Sequence, residues 1–341
     1  MLVPTTRELT LERALGRLRE PFLVEERDGR LVAIESDLGA GVSPGSGRVV
    51  GHLPPCRLEN LGDPTFLDDH GLRLPCLAGA MANGIASVEL VEAMAGAGML
   101  GFFGAAGLPL RRVEAAVDRL QRSLGSTSPF GFNLIHSPSE PALESGAVDL
   151  YLRRGVRLVE ASAFLDLTPP LVRYRVAGLR QDLTGRIVAD NRVVAKVSRV
   201  EVASRFLAPA PAKYLRELVA SGAVSPQQAE WAARIPMADD VTAEADSGGH
   251  TDNQPAIVLL PTMIALRDRL VAEHGYESRP RIGAAGGIST PWSAAAAFAM
   301  GAAYVVTGSV NQSCVESGTS DAVRKMLADA RQADVAMAPA A

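Results

Sequence analysis

A histidine that follows two glycines at the end of an apolar run is the first place in this chain where chemistry can be read. The stretch is Ala243-Glu244-Ala245-Asp246-Ser247-Gly248-Gly249-His250-Thr251-Asp252-Asn253. Gly248 and Gly249 have no Cβ, so the backbone can turn tightly and a flat ligand can approach it closely. His250 is the side chain best suited to exchange a proton near neutral pH. Alone, Gly-Gly-His is equally the sequence of a strand, a turn and an incidental surface histidine. Two later motifs weigh against the plain turn. Ile282-Gly283-Ala284-Ala285-Gly286-Gly287-Ile288-Ser289-Thr290-Pro291 reads as a strand, two glycines and a helix start, with Pro291 suited to the first turn. Bare N–H groups at a helix start, aided by the helix dipole, bind phosphate. Tyr304-Val305-Val306-Thr307-Gly308-Ser309-Val310-Asn311 repeats the arrangement one strand later. Adjacent glycine turns late in a barrel form a phosphate cup; the alternative is two tight turns with no ligand.

Three further positions belong with these. Leu77-Ala78-Gly79-Ala80-Met81-Ala82-Asn83-Gly84-Ile85 ends a strand with small residues, against which a flat ring can lie at Ala80 and Met81. Gly131-Phe132-Asn133-Leu134 places the amide of Asn133 near a strand end. Lys196, in Val194-Ala195-Lys196-Val197-Ser198, is a charge inside an apolar strand. If it faces inward it needs a partner, either an electron-rich ring or a carboxylate, and Glu160 and Asp246 are the acidic candidates. The alternative is an outward-facing or strand-end lysine.

The elements that must position these residues follow from periodicity. Strands are expected near Cys76–Ala80, Met99–Phe103, Phe130–Leu134, Arg157–Ala161, Val193–Val197, Val241–Ala245, Arg281–Ala285 and Ala303–Thr307. Helices are expected near Ser87–Ala97, Pro109–Ser123, Glu140–Arg153, Pro170–Gly178, Pro261–His274, Pro291–Met300 and Asp321–Asp329. Such alternation is the pattern of a (β/α)8 TIM barrel, with a doubly wound open sheet as the competing α/β architecture. Residues 75–341 are assigned to the barrel. Residues 1–74 form a small N-terminal extension: a helix over Leu9–Leu18, a hairpin around Asp28-Gly29, and a Gly- and Pro-rich connection without period. A helical insertion occupies about 201–237, after the fifth strand. In it Ser225, Pro226 and Gln228 spell an N-cap with a capping box. On the catalytic face such a pair is a lid, a docking surface or a simple cover.

The 341 residues are 47% hydrophobic, enough for a large core, and length alone allows one barrel or two domains. A formal net charge of −4 gives no nucleic-acid footprint. Cys56, Cys76 and Cys314 show no metal-ligand spacing and are odd in number, which points to no metal and to the reducing cytoplasm. The first residues lack a signal-peptide core, and no run of about 18 apolar residues reads as a membrane span.

Ala78 to Ser87, Ala245 to Asn253, Ala285-Gly286-Gly287-Ile288 and Thr307 to Gln312 together resemble the PfaD-type enoyl reductases. These are trans-acting flavoenzymes of polyunsaturated fatty acid and trans-acyltransferase polyketide synthases, within the nitronate monooxygenase (2-nitropropane dioxygenase) superfamily. The resemblance runs through most of the chain. It implies a barrel holding FMN, with the phosphate on Gly286, Gly287, Gly308 and Ser309. The ring would lie near Ala80, Met81, Asn133 and Lys196, with Asp246, Gly248 and Gly249 also at the cofactor. His250 would face its reactive side, and Lys196 would hold electron density on it. The implied reaction is NAD(P)H-dependent reduction of an enoyl thioester carried by an acyl carrier protein, with NADPH the expected co-substrate. A nitronate monooxygenase and a non-catalytic carrier-protein docking barrel are the alternatives. Chains of this family usually continue beyond the point corresponding to Ala341, so a C-terminal helical region is expected to be missing. The composition is compatible with a homodimer. The acyl chain, the stereochemistry and the partner synthase are not encoded in any motif.

Overall fold

The computed structural model describes residues 8–35, 47–125, 128–249 and 252–338. His250 and Thr251 therefore lie outside the described residues. Contacts divide the chain into two compact units, Met1–Leu61 and Gly62–Ala341.

The first unit is a four-stranded antiparallel sheet of β1 (Glu8–Thr10), β2 (Phe22–Arg27), β3 (Arg30–Glu35) and β4 (Arg48–Leu53), in the order β1-β3-β2-β4. The hairpin expected at Asp28-Gly29 is present, and both residues have positive φ, as a tight two-residue turn requires. The expected helix over Leu9–Leu18 shrinks to α1 (Leu11–Leu15), because Glu8–Thr10 pairs with β3 and Thr10 then caps the helix. Strand β4 was hidden by the glycines around it. Phe22, Ala33, Leu9 and Ala14 form the core of this unit.

The second unit is a closed parallel barrel. Its strands are β5 (Cys76–Ala78), β6 (Leu100–Phe103), β7 (Gly131–Ile135), β8 (Leu158–Ser162), β11 (Arg192–Val197), β12 (Asp240–Glu244), β13 (Arg281–Ala285) and β14 (Val305–Thr307). A short hairpin, β9 (Leu179–Gln181) with β10 (Ile187–Ala189), precedes β11. Each barrel strand is followed by a helix. In chain order these are α3 (Val88–Gly96), α4 (Leu110–Leu124), α5 (Pro141–Arg154), α6 (Pro169–Ala177), α7 (Val200–Leu207), α10 (Ala256–His274), α11 (Pro291–Ala299) and α12 (Asp321–Asp329). Strand residues two apart share a face. One parity faces outward onto the helices: Phe132, Val159, Ala161, Val193, Ala195, Val241 and Ala243 join the large outer core. The other parity fills the barrel: Leu77, Leu100, Phe102, Leu158, Val194, Ala285, Tyr304 and Val306 form the inner cluster.

The lower end of the barrel, at the strands' N-termini, is closed by α2 (Pro64–His70). Phe66 is fully buried and stacks on Tyr304 with centroids 4.3 Å apart. Asp240 is buried between Arg281 (2.6 Å) and His70 (2.8 Å). Burial acts to raise the Asp240 carboxyl, but Arg281 and His70 outweigh it and hold it down near 2.

Two expectations are corrected here. Helix α10 begins at Ala256, not at Pro261. A proline inside a helix costs a backbone hydrogen bond, yet Leu259, Leu260, Met263, Leu266 and Leu270 form one buried stripe that carries the helix through it. The helical insertion is not on the catalytic face. It comprises α8 (Ala212–Ala220) and α9 (Pro226–Ala232), between the lower end of α7 and the start of β12. The amides of Met237 and Ala238 return to the carbonyls of Ala208 and Phe206. Gln228 Nε2 donates to the carbonyls of Ala177 and Leu179 at the C-terminal end of α6. Helices in this alternation run opposite to the strands, so these contacts fix the pair at the lower flank. The capping box of Ser225 and Gln228 is formed as expected.

Candidate active site

At the upper end of the barrel, three strand ends bring three loops together. Asp246 N donates to the carbonyl of Gln254 at 2.9 Å, which brings these two residues together at the end of β12. Gly286 follows β13 with φ +89°, and a Cβ there would lie 2.4 Å from the Ala245 carbonyl oxygen. Only glycine permits that turn against that backbone. Gly287 also has positive φ, +68°, but a Cβ there would meet nothing within 4 Å. Gly248 approaches Ser309 so closely that a Cβ would lie 2.8 Å from its hydroxyl oxygen. Gly308 and Ser309 open the short 3-10 turn Ser309–Ser313 after β14, and space beside Gly308 is open. Ala245, Asp246, Gly248, Gly286 and Ser309 are thus neighbours, with Gly287 and Gly308 presenting bare backbone beside them. Thr290 caps α11 reciprocally with Ser293, so the helix start beyond the first glycine turn is fixed.

The last residues of β5 turn at the same end. Gly79 N donates to the Thr307 carbonyl (2.9 Å), and Ala80 N donates to Glu160 Oε2 (2.9 Å). Met81 directs its side chain to the Ala78, Ala86 and Leu90 cluster, so the part it offers a ligand is its backbone. A Cβ on Gly104 would collide with the Met81 carbonyl, so glycine there allows the close approach. Asn133 is buried, and its Nδ2 donates to the Glu160 carbonyl and to Ser162 Oγ, each at 3.2 Å.

Lys196 has the parity of the inner cluster. Its Nζ donates to Glu244 Oε1 at 2.8 Å, across to the neighbouring strand. Of the two expected acidic neighbours, Glu160 lies close enough to act on it electrostatically; the hydrogen bond goes to Glu244 rather than to Asp246. Burial acts to lower the Lys196 ammonium, but its acidic neighbours Glu160 and Glu244 prevail and raise it. Glu160 is fully buried; burial pushes its carboxyl up to about 7, against the pull of Lys196 and the Ala80 amide. Its Oε1 has no hydrogen-bond partner.

Two features of this end were not read from the sequence. Asp252 accepts from Ser198 Oγ and, bidentately, from Arg199 Nε and Nη2 at 3.0 Å each. These bonds from Arg199 and Ser198 hold its carboxyl near 2 and pin the histidine loop to the end of β11. A cavity of about 390 Å³ adjoins the clamp, between Ser198, Glu201, Gln254 and Thr262. His136, one residue past β7, bonds Glu144 through Nδ1 (2.9 Å) and stacks on Phe164. A histidine at a strand end was the available signal for it.

A polyunsaturated fatty acid synthase polypeptide of Thraustochytrium sp. (strain ATCC 26185 / S-3) is 48% identical over 330 residues, covering 93% of this chain and 22% of that protein. The polyketide biosynthesis protein PksE of Bacillus subtilis (strain 168) is 46% identical over 282 residues, covering 83% of this chain and 37% of that protein. The chain therefore spans well under half the length of these relatives. The crystal structure of the enoyl reductase domain of MlnA, from the macrolactin biosynthesis cluster of Bacillus amyloliquefaciens, superposes with a TM-score of 0.76 at 43% identity. It covers 79% of this chain and 61% of that one. The family model described as nitronate monooxygenase matches residues 66–340, the barrel almost in full, and the chain belongs to that family.

Proposed function

We propose that the chain is an FMN-dependent enoyl reductase that reduces the 2,3 double bond of an enoyl thioester carried by an acyl carrier protein. The observation that carries this reading is the meeting of the histidine loop with both glycine turns, through Gly248 against Ser309 and Gly286 against Ala245. The likeness to the MlnA enoyl reductase domain supports the same reaction. The residues fit the cofactor. Left-handed glycines leave bare amides for a phosphate, and Glu160 Oε1 is a buried polar atom without a partner where a ring would sit. Gly286, Gly287, Gly308 and Ser309 would hold the phosphate. Ala80, the Met81 backbone, Asn133 and Lys196 would lie near the ring, and Asp246, Gly248 and Gly249 would close over the cofactor.

FMN, when bound, supplies the hydride chemistry, accepting from NADPH and donating to the β-carbon of the thioester. The protein's part is placement and charge. Negative charge develops on the thioester oxygen, and a hydrogen-bond donor there lowers the barrier. His250 is assigned to that bond or to protonation of the α-carbon, and a placed acid contributes roughly 10²–10⁴-fold. Lys196, paired with the Glu244 carboxylate at 2.8 Å, supplies a fixed positive charge at the floor of the site. His250→Ala is expected to retain FMN and lose enoyl reduction by about that factor. Unchanged turnover would remove His250 from the mechanism.

A nitronate monooxygenase is the second reading, favoured by the description of the matching family model. It would consume a nitronate and oxygen without a nicotinamide. A barrel that only docks a carrier protein would bind the carrier with little flavin.

A further inference from the structure

Lys196, Glu244 and Glu160 place one ammonium and two carboxyls at the floor of the barrel mouth. Lys196 and Glu244, bonded at 2.8 Å, already make a balanced ion pair. Glu160 is fully buried, and an ionised carboxylate there would be an uncompensated charge away from water. One of its oxygens is used, since Oε2 accepts from the Ala80 amide. The other is orphaned. Among the described residues only two further buried side-chain polar atoms lack a partner, Arg175 Nε and Thr319 Oγ1, and neither lies on a barrel strand. Glu160 Oε1 sits beside Gly79, where even a Cβ would come within 3.3 Å of it. Glycine at position 79 thus lets the end of the first strand pass beside this oxygen.

We propose that Glu160 is a ligand-binding residue of the barrel mouth, held as the neutral acid, whose Oε1 hydroxyl donates to an acceptor atom on the edge of a flat heteroaromatic ring. A carbonyl oxygen or an unprotonated ring nitrogen meets that description. The inference rests on the flavin reading above and adds to it a residue and a protonation state. Burial supports the neutral form by raising the carboxyl to about 7. The groups facing Glu160 are Lys196 on β11, Glu244 on β12 and the Ala80 amide after β5. Lys196 and the amide favour ionisation, Glu244 opposes it, and burial prevails. A neutral donor also remains compatible with negative charge gathering on the ring, which a carboxylate would repel.

If the ring binds the protonated form, affinity is full below the carboxyl's folded value near 7 and falls about tenfold per pH unit above it. The test is FMN affinity from pH 6 to 9 for the wild type and Glu160→Gln. Glutamine keeps an acceptor for Ala80 and a donor for the ring, and has no proton to lose. The expected result is an affinity that falls at least tenfold more in the wild type than in the glutamine variant. Equal pH profiles would overturn the proposal, and they are also what a buried water on Oε1 would produce. Should Glu160→Gln fail to fold, Lys196→Met serves. Loss of the ammonium is expected to move the wild-type midpoint to higher pH, and an unmoved midpoint would overturn the proposal. Infrared spectroscopy of the flavin-free protein reads the acid itself. A protonated-carboxyl band that titrates near neutral pH and disappears in Glu160→Gln supports it; a wild type without that band overturns it. Failure of FMN to bind either protein at any pH, with the band present, would instead sink the flavin reading.

Discussion

Gly286 and Gly287 adjoin in sequence and share a left-handed backbone, yet a methyl group would meet different surroundings at each. At Gly287 it enters open space, so Gly287→Ala carries only the conformational cost, about 1–2 kcal/mol. At Gly286 it also meets the Ala245 carbonyl, so Gly286→Ala is expected to lower the melting temperature further than Gly287→Ala. Equal shifts would mean that the turn does not lie against β12. Sequence reading found both glycines, because Gly-Gly between a strand and a helix start is a local signal. It did not find Glu244 as the partner of Lys196. That contact depends on β11 lying beside β12 with Lys196 opposite Thr242, and pairing register is not a local property. Glu160 was legible as an acid near a strand end. Its orphaned oxygen was not, since that follows from what the Ala80 amide and Gly79 leave beside it.

At the scale of elements, the eight barrel strands were legible to within a few residues, because short apolar runs are bounded by Gly and Pro. The β9–β10 hairpin was missed; β9 buries only Leu179, β10 is half-buried throughout, and neither shows two-residue alternation. The insertion was found but placed at the wrong end. Its helical pattern is local, whereas its anchorage through Gln228 to the end of α6 is long-range. The 246–254 loop is the element on which the proposed chemistry turns, and the Asp252–Arg199–Ser198 clamp is what ties it to β11. Asp252 and Arg199 are partly exposed, and such pairs contribute at most about 1 kcal/mol to stability. Asp252→Asn should therefore melt within about 4 °C of the wild type. Misplacing a reacting group by an ångström costs about 100-fold, so kcat/KM for enoyl reduction should fall at least about tenfold. Wild-type turnover would show that the clamp does not position the loop.

At the scale of the molecule, the barrel separates stability from chemistry along its axis. The lower end is a closed plug of Phe66, Tyr304, Arg281 and Asp240 under α2, with its charges paired. The upper end keeps bare glycine backbone, a raised carboxyl and a half-buried lysine. Among the described residues no helix is long and apolar enough to cross a membrane. A raised carboxyl beside a lysine, on a floor that leaves one oxygen unbonded, is what a cofactor site looks like before its ligand is considered. The central claim is that this end holds FMN and passes reducing equivalents from NADPH to an enoyl thioester. The most direct measurement is the visible spectrum of the purified protein under anaerobic conditions, before and after NADPH and then with a 2-enoyl thioester. The account predicts a flavin spectrum that bleaches with NADPH and returns on adding the thioester. A flavin indifferent to NADPH but bleached by a nitronate, or no flavin spectrum even after reconstitution with FMN, would contradict it.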